Sequence, residues 1–127
     1  MKQFLLFVVS VFLLIFWLAD FVGGGGLIAQ LDKNPDRRGT ATVAFYTGRY
    51  YDIMNKPEKA LEFYQRVADR YPRSRYGMEA LYGVASSYEQ KHDYRKALEL
   101  YEKFAEAYPK NKYSVSVQNN ISILKSR

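Results

Sequence analysis

The chain contains no cysteine. That absence excludes disulfides, thiol catalysis, Cys-ligated zinc and a lipid-modified N-terminal Cys, and it leaves the redox compartment open. His92 is its single histidine. One His without Cys makes no zinc site of the usual nitrogen and sulfur kind. Beside Asp93, in a turn between helices, His92 reads as a solvated loop residue and not as a base. The acids are scattered over helix faces, and paired carboxylates would need a cleft too deep for a small helical stack. No nucleophile, metal set or cofactor loop is visible, so the reading is non-catalytic, with no catalytic, metal-binding or cofactor-binding residues. Proline is also scarce, with four in 127 residues, and Pro57, Pro72 and Pro109 fall where a helix should start or stop.

Charge of one sign is mildly favoured, at +6. Except for Lys2 and Asp20, every charged residue lies from residue 32 onward, mostly with signs interspersed. Pairs such as Glu62 with Arg66 and Glu99 with Lys103 suit solvated helix faces. Only Arg70, Arg73 and Arg75 crowd together. A nucleic-acid interface needs a broader basic stripe, so nucleic acid is not an expected partner.

The one long apolar run is Phe4 to Val22, broken by Ser10 and Asp20 and preceded by Met1-Lys2. A run of about 19 residues just spans a hydrocarbon core as a helix. Trp17 and Phe21 sit near its far end, where aromatic belts occur. Residues 1–22 are expected to be an uncleaved transmembrane signal-anchor, with a cleaved signal peptide as the alternative. The signal-like start puts the N-terminus in the cytoplasm and the rest on the periplasmic or outer side. Lys33, Arg37 and Arg38 pull against that orientation under the positive-inside rule. Asp20 sits at the end of the run, where interfacial exposure is the simpler account than an intramembrane function. Residues 23–39 then read as a flexible linker, opened by Gly23–Gly26 and carrying a turn at Asn34-Pro35. A phosphate loop would need a preceding strand and a following Lys-Ser/Thr, and neither is present.

What the chain has in abundance is aromatic residues, 17% of the total, including twelve tyrosines. They recur in register. Lys59-Ala60-Leu61-Glu62-Phe63-Tyr64 returns as Lys96-Ala97-Leu98-Glu99-Leu100-Tyr101. Tyr51 and Tyr88, Ala60 and Ala97, and Tyr71 and Tyr108 are each 37 residues apart. A fixed period of this size marks stacked supersecondary units. About five helices are expected from Thr40 onward. Asn55 ends the first, and Pro57 opens the second. Pro72 and Pro109 close the second and fourth, Ser74 caps the third and Asp93 the fourth. Inward positions are Ala60, Tyr64 and Val67, then Ala80, Val84 and Ala85, then Ala97, Tyr101 and Phe104. The last helix turns Val117, Ile121 and Leu124 inward. Its Ser116, Asn119, Asn120 and Lys125 face water, as a terminal cap must.

These features resemble the tetratricopeptide repeat family. The resemblance rests on Gly48, Tyr51, Ala60, Tyr64 and Pro72 in one unit, and on Ala85, Tyr88, Ala97, Tyr101 and Pro109 in the next. It covers about Thr40 to Arg127. It implies an all-α fold with an N-terminal transmembrane or signal helix ahead of a short helical-hairpin solenoid in residues 40–127. The units are residues 40–77 and 78–114, with a capping helix at 113–126. The period exceeds the family's usual value of about 34. The added residues fall at the junction around Arg73 to Gly77, and Val67 and Phe104 replace a small residue. The junction pattern Tyr-Pro-x-Ser/Asn-x-Tyr is similar to a subgroup in bacterial envelope proteins, among them an outer-membrane-assembly lipoprotein and a coordinator associated with the Tol–Pal system.

The resemblance further implies a concave groove lined by the first helix of each unit. Its residues would be Thr42, Phe45, Arg49 and Asp52, then Glu79, Tyr82, Ser86 and Glu89, and finally Ser116 and Asn119. Phe45 and Tyr82 would be either anchors for a partner or half-buried packing residues, and Arg49 a contact for a carboxylate or simply an exposed arginine. Phe45, Arg49 and Glu79 do not reproduce the carboxylate clamp of the chaperone-binding members. The implied function is a membrane-anchored adaptor that binds protein through this groove or through its anchor helix, with homo-oligomerisation as a further option. The alternative is a secreted periplasmic module that recognises cell-wall polymer through tyrosines and basic residues. For that role Tyr46, Tyr50, Tyr76, Tyr82, Tyr94 and Tyr113 are the stacking candidates, against the ordinary use of Tyr in cores.

Overall fold

The computed structural model describes residues 1–23, 25–33 and 39–127. They form seven α-helices and, among the described residues, no strand. In chain order these are α1 (Lys2–Gly23), α2 (Gly26–Lys33), α3 (Thr40–Ile53), α4 (Pro57–Arg70), α5 (Gly77–Gln90), α6 (Tyr94–Ala107) and α7 (Ser114–Lys125). The chain divides into two compact units, Met1–Thr40 and Ala41–Arg127.

In the first unit, Lys2–Phe21 of α1 is long and apolar enough to cross a membrane, and none of that stretch is buried. Trp17 stacks on Phe21, one turn further along the helix. The helix count exceeds the expected one by α2, which occupies part of the stretch read as linker. Leu27, Ile28 and Leu31 follow helical spacing there, and Leu31 is buried. Four glycines outweighed that short pattern in the sequence. Among the described residues of the run, Gly25 takes a left-handed backbone, at φ +85°. The turn expected at Asn34-Pro35 lies outside the described residues.

The second unit is two helical hairpins, α3–α4 and α5–α6, closed by α7. Its core runs from Phe63, Tyr64 and Val67 of α4, through Val84 of α5, to Tyr101 and Phe104 of α6 and Val117 of α7. Val67 and Phe104 are fully buried, so the volume that a small residue would leave is filled. The left-handed residues Asn55 (φ 53°) and His92 (φ 62°) end α3 and α5 and are 37 positions apart. Pro57 lies in the first turn of α4. Asp93 caps α6 by accepting from the Lys96 N–H at 3.1 Å.

Glycine sets how closely the hairpins meet. A Cβ on Gly48 of α3 would lie 2.9 Å from one edge of the Tyr64 ring, and one on Gly83 of α5 would lie 2.7 Å from the other. Tyr64 is thus a flat plate clasped between two helices that lack side chains at the contact. In the next unit, Ala85 and Asn120 hold the corresponding positions beside Tyr101.

The junctions explain the longer period. Ser74 does not cap α5; the residue before the helix is Tyr76. Instead the Ser74 hydroxyl accepts from the Tyr76 N–H two residues on. Asn111, in the same register, accepts from the Tyr113 N–H with its side-chain oxygen at 2.7 Å. These turns carry Tyr76 and Tyr113 onto the helix behind them. Tyr76 stacks on Phe45 at 4.7 Å between ring centroids, and Tyr113 stacks on Tyr82 at 4.4 Å. The extra residues are what let each junction place an aromatic lid over the first helix of its own unit.

Candidate functional site: the face of the first helices

The candidate residues come from α3, α5 and α7, and the contacts around them link the three helices. Gln90 of α5 donates to Asp52 of α3 at 2.7 Å. The Tyr64 hydroxyl donates to the other Asp52 oxygen at 3.3 Å. One unit later the Tyr101 hydroxyl donates to Glu89 at 2.9 Å. Asp52 and Glu89 are 37 positions apart, as are Tyr64 and Tyr101, so the same polar pair is built twice. Lys112 pairs with Glu79 at the far edge.

Burial of the ring pushes the Tyr64 phenol well above its ordinary value, and the Asp52 carboxylate adds to the shift. Burial and then the Glu89 carboxylate do the same to Tyr101. Tyr82 is raised by burial and by Glu89, and a hydrogen bond from the Asn120 side chain opposes this. The Tyr64 and Tyr101 phenols stay protonated through the neutral range and donate to the carboxylates of the face. The Lys112 ammonium is raised by its hydrogen bond to Glu79.

The predicted residues do not share one environment. Arg49, Ser116 and Asn119 are exposed. Thr42, Asp52, Glu79, Tyr82, Ser86 and Glu89 are half-buried. Phe45 is only 3% exposed, held between Tyr64 and Tyr76. The Tyr76 ring covers it, so Phe45 packs within the stack here. Tyr82 carries the same kind of lid but keeps part of its surface open. Asn120, expected in water, is half-buried beside Tyr82 and Tyr101. Asn120 and Gln90 were missed as members of this face. The signal was available: Asn120 lies 37 residues after Gly83, a position that faces a tyrosine ring.

Among the tyrosines considered for stacking on sugar, Tyr46 and Tyr50 are exposed, Tyr82, Tyr94 and Tyr113 are half-buried, and Tyr76 is buried. His92 is exposed, and its Nδ1 lies 2.8 Å from the Tyr94 hydroxyl. Among the described residues, no three His, Asp or Glu side chains gather in a way that would hold a metal ion. What the face offers is an array of hydrogen-bonding groups fixed by aromatic packing, with an arginine at one end and amides at the other. Such an array has the groups to hold an extended chain or a helix.

Comparison with curated proteins finds no match. The family model described as tetratricopeptide repeat matches residues 43–74 and again 79–111, which together make up just over half of the chain. Each match runs from a first helix through its partner helix to the junction. The chain belongs to the tetratricopeptide repeat family.

Proposed function

We propose that this protein is a membrane-tethered adaptor of a cell envelope, a small accessory subunit that holds a protein partner on the face of α3, α5 and α7. The observation that carries this reading is the doubled polar pair, Tyr64 with Asp52 and Tyr101 with Glu89. It repeats in register on one face and is locked from behind by buried rings. Preorganised donors and acceptors of this kind bind an incoming chain without first having to be ordered. The exposed apolar α1 supports tethering through residues 4–22, and the signal-like start supports repeats on the periplasmic side. The Tyr-Pro-x-Ser/Asn-x-Tyr junction supports the envelope setting.

The test is co-purification of the full-length chain in mild detergent, with an Arg49→Glu/Ser86→Arg variant alongside. Arg49 is exposed and Ser86 half-buried, and circular dichroism of the variant checks that its helical fold survives. One stoichiometric partner that is lost in the variant is the expected result. A partner retained in the variant moves the interface elsewhere, and the absence of any partner ends the subunit reading.

A further inference from the structure

A second surface lies at the N-terminal end of the repeat stack, on the side of α3 turned away from α4. Val43, Tyr46, Tyr50, Ile53 and Met54 line it as one continuous apolar stripe. Val43, Tyr46, Tyr50 and Ile53 recur every three or four residues on a single helix face, and Met54 follows just past the helix end. Tyr46 is 58% exposed, Tyr50 55% and Ile53 77%. Edge contacts of Tyr46 with Phe45 and Tyr76, and of Tyr50 with Tyr51, hold both phenol rings in place on this surface. With Ala44, Phe45, Gly48 and Tyr51 buried on its other side, α3 is apolar on both faces. Its remaining side carries Thr42, Arg49 and Asp52, so the stripe is a second apolar face beyond the one that packs the hairpin.

The repeat register says what kind of surface this is. Val43, Tyr46 and Tyr50 correspond, 37 residues on, to Ala80, Gly83 and Ser87 of α5. Those three are buried, and Gly83 meets the Tyr64 ring of α4. The stripe on α3 is therefore continuous in register with the established stacking interface of the fold. It differs in one way. At the Gly83 position a Cβ already collides with Tyr64. Tyr46 at the equivalent place excludes another aromatic-bearing repeat helix. The opposite end of the stack is different: the outer side of α7 shows Gln118, Asn119 and Ser122, with Val115 and Ile123 at its margins. One end is finished with polar residues and the other is not.

We infer that the α3 stripe is the self-association surface of this protein, with two copies pairing α3 against α3 across a two-fold axis. A two-fold contact places the same patch on both sides, so Tyr46 and Tyr50 meet their own counterparts. Offset or edge-to-face tyrosine pairs are favourable, and they tolerate the bulk that a repeat helix does not. With tyrosine side chains of roughly 150–250 Å² each about half exposed, five residues offer on the order of 500 Å² per copy. The pair then buries roughly 1,000 Å², the lower bound for a specific interface. The polar α7 prevents head-to-tail growth, so association closes at two copies. Pairing also joins two short arrays into one longer stack, which suits a fold that usually needs at least three repeats. This surface is separate from the groove and stands whether or not the groove binds a partner.

The test uses the full-length chain in mild detergent, with its mass measured by light scattering. The native chain is expected at the mass of two copies. The Tyr46→Glu/Tyr50→Glu variant is expected at the mass of one copy, with an unchanged helical circular dichroism spectrum. Because the chain lacks cysteine, single-cysteine variants give a second reading. Tyr50→Cys should form a disulfide-linked dimer under mild oxidation in membranes, and Ser122→Cys on α7 should not. If the double variant fails to fold, that cross-linking contrast decides alone. A one-copy mass for the native chain, or a dimer that survives in the folded double variant, overturns the inference. So does quenching of a dye on Tyr50→Cys by a lipid-borne quencher, which would make lipid the occupant of the stripe.

Discussion

Tyr64 and Tyr101 carry most of the structural logic at the scale of single residues. Each is a buried plate with its hydroxyl turned to a carboxylate of the candidate face. Gly83→Ala tests the clasp. In an ordinary helix that change gains up to about 1 kcal/mol. Here the new Cβ would sit 2.7 Å from the Tyr64 ring. Overpacking costs about 1–3 kcal/mol, so a net loss is expected, read as a lower thermal midpoint. The hydroxyls give a pH signature. The folded-state values of both phenols lie above the ordinary one. Their contribution to stability is complete below about pH 10 and is lost as pH rises beyond it, because the unfolded chain ionises first. Tyr101→Phe should cost about 1–2 kcal/mol at neutral pH through the lost bond to Glu89. It should also weaken the alkaline loss, followed by circular dichroism from pH 8 upward. Positions 60, 64, 97 and 101 were legible in the sequence because a core residue answers mainly to the repeat period. The burial of Phe45 was not, because it depends on Tyr76 folding back from a junction whose turn is set by one Ser74 hydroxyl.

Among the elements, helix ends were the most readable and junctions the least. Pro57 and Asp93 start α4 and α6 as local chemistry dictates, and Asn55 ends α3. The α2 helix was hidden behind glycines, since eight residues give too little periodicity to outweigh them. His92 is the exposed turn residue that the sequence suggests, and it has a structural role besides. Its left-handed backbone, in the register of Asn55, makes it the stop signal of α5. A β-branched side chain is strained in that conformation. His92→Val should therefore lower stability by about 1–2 kcal/mol, whereas His92→Gly should leave it unchanged or slightly higher. Urea midpoints of the two variants check this.

Across the whole molecule, a helical-hairpin stack follows an apolar helix, and both were visible in the sequence as a 37-residue period and an apolar run. If the run is retained as an anchor, intact-mass measurement of the membrane-extracted protein should return the full 127 residues. A product shortened by the first two dozen or so would favour a secreted module. The identity of a partner for the proposed face is not legible in the chain, since the fold alone does not specify what a site binds. The central claim is that the face of α3, α5 and α7 holds that partner. Site-specific photocross-linking in cells that express the full-length chain tests it most directly, with the probe at Ser86 on α5 or, as control, at Glu62 on the outer side of α4. The account predicts one discrete cross-linked protein from Ser86 and none from Glu62. A product from Glu62 alone, or from neither position, would contradict it.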